Sequence, residues 1–171
     1  MKRLNLGAGS DVKQGYVNLD INAGQGIDVV HDLNIFPYPF PDNSFDEILA
    51  YSILEHVDDL MKTMAELHRI LKPGGRLDVI VPHYNGPIAW GNPTHVRTFT
   101  YESFLFFTKG FSQERYGTHL FSHGQVKLRF GKGIQLWNYA IEALANLFPR
   151  MYENSFLSVF PALGIRAVLT K

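Results

Sequence analysis

Cysteine is absent from the 171-residue chain, which excludes disulfides, thiolate nucleophiles and cysteine-based zinc sites. No apolar run approaches the roughly 20 residues that a membrane-spanning helix needs, and no signal-peptide pattern precedes the first apolar stretch. We therefore expect a soluble cytoplasmic protein without a membrane partner.

An excess of either charge is also missing. Sixteen basic residues balance sixteen acidic ones, and neither sign forms a long run, so we expect no nucleic-acid partner. The length suits one domain over residues 1–171, with room for a sizeable core but not for a second domain.

A glycine turn lies near the start of the chain. Leu4 and Leu6 alternate with polar residues and stop at Gly7 and Gly9, which predicts a strand that runs into a tight turn. Asp20 ends the next strand, predicted over residues 16–21. In open α/β sheets such a turn approaches a nucleotide, and the acid accepts the hydroxyls of a ribose. An ordinary tight turn remains the alternative, because glycine pairs are common.

The rest of the chain alternates strands with helices. Further strands are predicted over residues 27–33, 44–51, 76–82, 126–130 and 165–170. The strand over residues 27–33 has a continuous apolar centre, as expected where both faces are covered. Helices are predicted from an N-cap at Asp58, over residues 100–108, and along a buried face made of Ile134, Trp137, Ile141, Leu144 and Phe148. This order predicts a Rossmann-like, doubly wound, mostly parallel sheet of seven strands.

Several motifs of the first half resemble the class I S-adenosylmethionine-dependent methyltransferases, and among them the short methyltransferase type 11 group. They lie in residues 4–9, 40–48, 54–57 and 66–75, with Asp20 between the first and the second. Their order and spacing are more specific than any single motif. The resemblance implies S-adenosylmethionine as the cofactor and methyl transfer as the reaction.

The resemblance also implies roles for individual residues. Gly7 and Gly9 would let the loop backbone pass under the cofactor, and Asp20 would bind the ribose. Asp32 and Leu33 would meet the adenine, while Tyr51 and Ser52 would flank the methionyl end. The full cofactor-binding set is Asn5, Gly7, Ala8, Gly9, Asp20, Ile21, Asp32, Leu33, Tyr51, Ser52 and His56. Capping of a turn is the alternative for Asp20 and Asp32.

Two features depart from this family. Gly9 and Asp20 are eleven positions apart (20 − 9), so the first crossover must be abbreviated. The chain also begins at the first strand, so we expect no N-terminal helical cover. Residues 83–124 then become the expected substrate or lid region, and a homodimer is compatible with the missing cover.

The sequence says less about the methyl acceptor than about the cofactor. Methyl transfer demands alignment and exclusion of water, with a base only where the acceptor must lose a proton. His95 is the preferred general base, because imidazole titrates near neutral pH, and His83 is the second candidate. A histidine that merely ties loops together is the alternative for both. The neutral net charge favours a small-molecule or sugar-like acceptor over nucleic acid.

We expect no metal site, since the spacing of His119 and His123 suits a helix that Gly117 and Gly124 oppose. Two other functions compete with methyl transfer. A nicotinamide-dependent oxidoreductase would need a third glycine where Val12 stands. A non-catalytic, methyltransferase-like binding or partner subunit is compatible with the shortened cofactor loop.

Overall fold

Seven strands form a single sheet in the computed structural model, which describes residues 1–109, 120–131 and 137–171. The strands are β1 (Arg3–Leu6), β2 (Val17–Asp20), β3 (Val29–Val30), β4 (Phe45–Tyr51), β5 (Leu71–Pro82), β6 (His123–Arg129) and β7 (Gly164–Thr170). Their order is β3-β2-β1-β4-β5-β7-β6. Neighbours among β1 to β5 run parallel, whereas β7 runs antiparallel to β5 and β6. The predicted seven-stranded, mostly parallel sheet is confirmed.

The chain changes its direction of travel across the sheet between β1 and β4. From β1 it proceeds to β2 and β3 on one side, and it then returns to β4 and β5 on the other side. The carboxyl ends of β1 and β4 therefore lead away from each other. Open α/β sheets bind their ligands in the crevice that forms at such a point.

The connection from β1 to β2 is short. Residues 7–16, all of which are described, contain turns and no helix. The buried amide of Asn5 fastens this loop by donating to the Asp11 carbonyl at 2.8 Å and to Asn18 Oδ1 at 3.0 Å. The abbreviated first crossover is thus confirmed, with side-chain hydrogen bonds in place of a helix.

The third strand differs from its prediction. Only Val29 and Val30 form β3, and the side chain of Val30 is 56% exposed. The strand pairs with β2 alone and forms an edge of the sheet. An apolar run at an edge can leave one face in solvent, so the prediction that both faces are covered is wrong.

Helix α1 (Leu60–Ile70) connects β4 to β5 and buries the face that contains Met64, Leu67 and Ile70. Burial of each such side chain contributes about 2 kcal/mol. Its N-cap is Asp59, whose carboxylate accepts from the Lys62 N–H at 3.0 Å. The cap therefore lies one residue after the predicted Asp58.

The β4–β5 pairing accommodates an insertion. Phe45 pairs with Leu71, whereas Glu47 pairs with Arg76. The extra residues of β5 include Gly74, which has a positive φ of 74°. Residues 72–75, which precede the strand predicted over 76–82, therefore lie in a bulge, and β5 begins five residues before the predicted Arg76.

The second half contains short helices, namely α2 (Pro87–Gly91), α3 (Trp137–Leu147) and α4 (Pro149–Glu153), with 3₁₀ turns at Leu105–Phe107 and Phe156–Val159. The helix predicted over residues 100–108 is reduced to the first of these turns, because the N–H groups of Phe107 and Thr108 donate to carbonyls three residues back instead of four. Among the described residues, no helix has the length and apolar character needed to cross a bilayer.

Helix α3 also contradicts the face predicted for it. Ile134 lies outside the described residues, and Trp137, Leu144 and Phe148 are 57%, 44% and 49% exposed. The helix contacts α4 and β6, and it buries Asn138 and Ala145. Of the predicted face, Ile141 packs against the core, on the same side as the buried Asn138 and Ala145, whereas Trp137, Leu144 and Phe148 face outward.

Candidate functional site

A cavity of about 150 Å³ lies at the carboxyl ends of β1, β2 and β4, where the chain changes direction across the sheet. Its wall includes one residue from the end of each of these strands, namely Gly7 after β1, Asp20 at the end of β2 and Ile53 after β4. The complete lining is Gly7, Leu19, Asp20, Ile21, His31, Asp32, Leu33, Asn34, Ile53, His56 and Val57. Six of the residues predicted to bind the cofactor are brought together here, namely Gly7, Asp20, Ile21, Asp32, Leu33 and His56.

The carboxylate of Asp20 lies at the centre of this wall. Its Oδ2 accepts from the Gly9 N–H at 2.8 Å, and its Oδ1 accepts from the Asn22 N–H at 3.0 Å. These bonds fix the orientation of the carboxylate toward the glycine turn. Because each ionised oxygen has two acceptor sites, both oxygens can still accept a hydroxyl of a ribose.

The two glycines of the turn have different surroundings. A Cβ on Gly9 would meet nothing within 4 Å, so the backbone there, with φ of +48°, borders open space. A Cβ on Gly7, with φ of +66°, would lie 2.5 Å from Ile53 Cγ1. Gly7, which lines the cavity, is therefore required by the side chain of Ile53, whereas a side chain at Gly9 would meet no neighbouring atom.

The far end of the cavity is formed by the loop after β3. Asp32 Oδ1 accepts from the Asn34 N–H at 2.9 Å, and the His31 ring is 2.9 Å from the Ile35 carbonyl through Nε2. Apolar walls come from Leu33, which is buried, and Ile21, which is 59% exposed. This pairing of apolar faces with a carboxylate suits a flat heterocycle that carries an amine.

Five lining residues were not predicted, namely Leu19, His31, Asn34, Ile53 and Val57. All of them adjoin predicted site residues in the chain or end a predicted strand. Conversely, the buried amide of Asn5 points into the loop described above, and the buried Ala8 donates its N–H to the Leu19 carbonyl at 2.9 Å. Asn5 and Ala8 build the turn and do not line the cavity.

Ser52 lies at the end of β4 and faces a second cavity of about 270 Å³. Its φ is +52°, and its N–H donates to the Ile80 carbonyl at 2.7 Å. A non-glycine residue at positive φ is a strained conformation of the kind that clusters at functional sites. The second cavity is lined by Ser52, Ile80, Val81, Pro82, Ile88, Arg129, Phe130, Leu163 and Gly164.

Tyr51 precedes Ser52 and lies beside the β1–β2 loop. The Lys13 ammonium is 5.8 Å from the centre of its ring. Burial raises the pKa of the Tyr51 phenol, and the nearby Asp78 carboxylate raises it further. Tyr51 is therefore a neutral phenol near pH 7, and it does not line either of these two cavities.

His56 and His95 meet behind the first cavity. Their ring centroids are 4.8 Å apart at 76°, and His56 lines the cavity whereas His95 does not. The two loops are fastened by the Val96 N–H, which donates to the Glu55 carbonyl at 3.0 Å, and by the Arg97 guanidinium, which donates to the Asp58 carbonyl at 2.8 Å. Residues 92–98 thus form a fixed wall behind the cavity.

His83 occupies a different environment from the one predicted. Its side chain is fully buried, its Nε2 is 2.8 Å from Glu153 Oε1, and its Nδ1 accepts from the Asn85 N–H at 3.3 Å. Both ring nitrogens are therefore engaged within the protein. The prediction of His83 as a general base is inconsistent with this placement, and the residue joins β5 to α4.

Comparisons with known proteins agree with the motifs. Residues 8–79 match the family model described as a methyltransferase domain. The ubiquinone/menaquinone biosynthesis C-methyltransferase of Desulfotalea psychrophila is 46% identical over 67 residues, a match that covers 37% of this chain and 26% of that protein. The matched part therefore spans about a quarter of the length of that curated relative.

Solved structures resemble the whole fold. A SAM-dependent methyltransferase from Archaeoglobus fulgidus has a TM-score of 0.66 at 15% identity, covering 99% of this chain and 86% of that one. A SAM-dependent methyltransferase from Thermotoga maritima has a TM-score of 0.63 at 18% identity, covering 99% and 81%. These structures show that the chain has the fold of the S-adenosylmethionine-dependent methyltransferases, and residues 8–79 match the methyltransferase-domain model within that fold.

Proposed function

We propose that this protein transfers the methyl group of S-adenosylmethionine to a small-molecule acceptor. The observation that carries the proposal is the Asp20 carboxylate, held by the Gly9 N–H at 2.8 Å beside a cavity at the sheet's change of direction. That arrangement presents two acceptor oxygens where a nucleoside ribose lies in proteins of this architecture.

The nucleoside occupies the first cavity. Its ribose hydroxyls donate to Asp20, and its adenine lies between Ile21 and Leu33 with its amine toward Asp32. Ligand sites commonly enclose about 300 to 1,000 Å³, and this cavity encloses about 150 Å³. It therefore accommodates only part of the cofactor. The methionyl part continues over the open backbone of Gly9 toward Ser52.

The acceptor occupies the second cavity. Ser52 is in its wall and directly precedes Ile53, which is in the wall of the first. Apolar residues such as Ile88 and Phe130 line it together with Ser52 and Arg129. An acceptor with an apolar body and one hydroxyl or anionic group fits this lining better than a sugar, which requires many hydrogen-bonding side chains. The relatedness to a quinone C-methyltransferase supports the same class of acceptor.

Catalysis then consists of alignment. The positive charge of the sulfonium disperses as the methyl group moves, so the protein must hold sulfur, methyl and acceptor in line and exclude water. We propose residues 83–124 as the covering region, of which residues 92–98 already close the wall behind His56. His95 lies behind His56 as seen from the first cavity, and an acceptor that reaches it must extend past His56.

Binding of S-adenosylmethionine, measured by isothermal titration calorimetry, tests the proposal. Asp20→Ala removes two hydrogen bonds to a charged group, about 3 kcal/mol together, so we expect about 100-fold weaker binding. Asp11→Ala is the matched control, since Asp11 carries an exposed carboxylate in the same loop, paired with Lys13 at 2.8 Å. Absence of binding by the unsubstituted protein at millimolar cofactor contradicts the proposal.

A non-catalytic binding subunit remains the second candidate, favoured by one observation. The loop from β1 to β2 contains no helix, and therefore no helix N-terminus faces the cofactor. Cofactor binding without release of S-adenosylhomocysteine in the presence of diverse acceptors supports this candidate. The expected homodimer stays a prediction, which light scattering measures directly.

A further inference from the structure

Three potential metal ligands meet behind the first cavity. Glu55 and His56 follow β4, and His95 lies in the loop after α2. One ligand atom from each of the three side chains lies within 4.8 Å of the others. The two loops are fastened by the Val96 N–H to Glu55 carbonyl bond of 3.0 Å, so the backbone brings the three side chains together.

One oxygen of the Glu55 carboxyl lacks a hydrogen-bond partner among the described residues. The residue is 1% exposed, and within the described part of the chain Glu55 Oε2 makes no hydrogen bond. Burial raises the pKa of this carboxyl, and a hydrogen bond from the residue's own backbone N–H partly opposes the rise. An unpaired buried carboxylate oxygen costs several kcal/mol unless it is neutralised or coordinates a cation. The geometry around it therefore points to a missing positive partner.

Both imidazoles present the lone pair that a metal ion requires. His56 Nδ1 lies 3.2 Å from the Thr94 carbonyl, and His95 Nδ1 lies 3.2 Å from the Ala89 carbonyl. A carbonyl oxygen only accepts hydrogen bonds, so each Nδ1 carries the proton and each Nε2 is left as a base. Metal-binding histidines show this arrangement, in which a backbone carbonyl holds the other ring nitrogen.

We propose that Glu55, His56 and His95 bind a divalent transition-metal ion of the zinc type. Two imidazoles and one carboxylate form a ligand set that zinc uses, with a fourth position open for water or another oxygen ligand. Ligand atoms at ~2.0 to 2.2 Å from zinc lie ~3.3 Å apart, so the side chains move inward by roughly 1 Å on binding. The proposal does not depend on methyl transfer, since it rests on these three side chains.

Calorimetry with zinc chloride and metal-free protein tests this site. We expect one ion per chain, and a more than 100-fold loss of affinity in His56→Ala and in His95→Ala, because outer partners alone change affinity by about 10- to 100-fold. Glu55→Gln, which keeps the size of the side chain, weakens binding as well. Affinity falls as the solution is made more acidic, because protons compete with the metal ion for the ligand atoms.

His123→Ala is the control, because His123 is exposed on β6 and its loss leaves the proposed site intact. Should His95→Ala fail to fold, His95→Gln replaces it, since an amide N–H can still donate to the Ala89 carbonyl. Zinc binding that persists in both histidine variants, that disappears in His123→Ala, or that is absent from the unsubstituted protein overturns the proposal.

Discussion

The helices of the two halves of the chain, before and after residue 83, differ in how far they bury their large apolar side chains. In the first half, Leu67 of α1 is fully buried, as are the central leucines of β1. In the second half, Leu147 is 67% exposed and Phe156 is 82% exposed. An apolar repeat thus identifies the buried face where a helix packs on the sheet, and fails where helices pack mainly on each other and on an edge strand.

The largest expected effect contrasts two leucines in helices of equal length. Leu67→Ala in α1 removes a fully buried side chain and is expected to lower the free energy of unfolding by about 3 kcal/mol. Leu147→Ala in α3 is expected to change it by less than about 0.5 kcal/mol, because the side chain already lies in solvent. Urea denaturation measures both, and equal losses contradict the comparison.

An ion pair joins the halves through the sheet. The carboxylate of Asp78 on β5 is fully buried, and the Arg166 guanidinium on β7 binds both its oxygens at 3.0 and 2.7 Å. Arg166→Met leaves this carboxylate with Arg76, whose Nη2 is 3.6 Å away. We expect a loss of about 2 kcal/mol in stability, below the usual cost of a fully unpaired buried charge.

The control for that substitution is Arg150→Met. Arg150 pairs with Glu102 at 2.6 Å, but its side chain is 68% exposed, and exposed pairs contribute little. A loss in Arg150→Met as large as that in Arg166→Met indicates that burial of Asp78 does not govern the effect.

A smaller effect is expected at the start of α1. Asp59→Ala removes the side-chain cap on the Lys62 N–H, and the melting temperature is expected to fall by about 3 °C. Asp58→Ala, one residue earlier, tests the position that the sequence alone favours and is expected to leave the melting temperature nearly unchanged. A larger fall in melting temperature for Asp58→Ala than for Asp59→Ala places the cap at Asp58.

The smallest effect concerns pH. His68 of α1 packs edge-on against Phe121, with ring centroids 5.5 Å apart. Burial lowers the pKa of His68, and the charge of Lys171 lowers it further. The unfolded chain therefore binds more protons than the folded one below the unfolded pKa of about 6.5. The stability that the neutral His68 ring contributes is therefore present above about pH 6.5 and is lost as the pH falls below that value.

His68→Gln is accordingly expected to reduce the drop in melting temperature between pH 7 and pH 5, measured by thermal scans in matched buffers. If the melting temperature of the variant falls between pH 7 and pH 5 as much as that of the unsubstituted protein, groups other than His68 dominate the loss of stability in acid.

The parallel part of the fold follows from local patterns. The strands β1, β2 and β4 occupy the predicted places, because each has apolar residues at its centre and a defined stop at or just before Gly7, Asp20 and Ser52. The extent of β3 could not be predicted, because an apolar run does not reveal whether its strand lies at an edge. The exposed face of α3 could not be predicted for a related reason, since periodicity shows that a helix is two-sided and not which side meets the core.

The candidate site was predictable where residues adjoin strand ends. Ile53 and His31 line the cavity but lack a distinctive local pattern, and only the three-dimensional structure places them there. Residues far apart in sequence explain the remaining differences. His83 is engaged by Glu153, seventy positions away, and Glu55 meets His95 across forty (95 − 55). Such contacts depend on how loops of the second half fold back on the first.

A crystal structure with S-adenosylhomocysteine, the product of methyl transfer, tests the central claim most directly. We expect both ribose hydroxyls on the Asp20 carboxylate, the adenine between Ile21 and Leu33, and the sulfur over Gly9 facing Ser52. A nucleoside bound elsewhere, or one that leaves Asp20 bonded only to the Gly9 and Asn22 N–H groups, contradicts it.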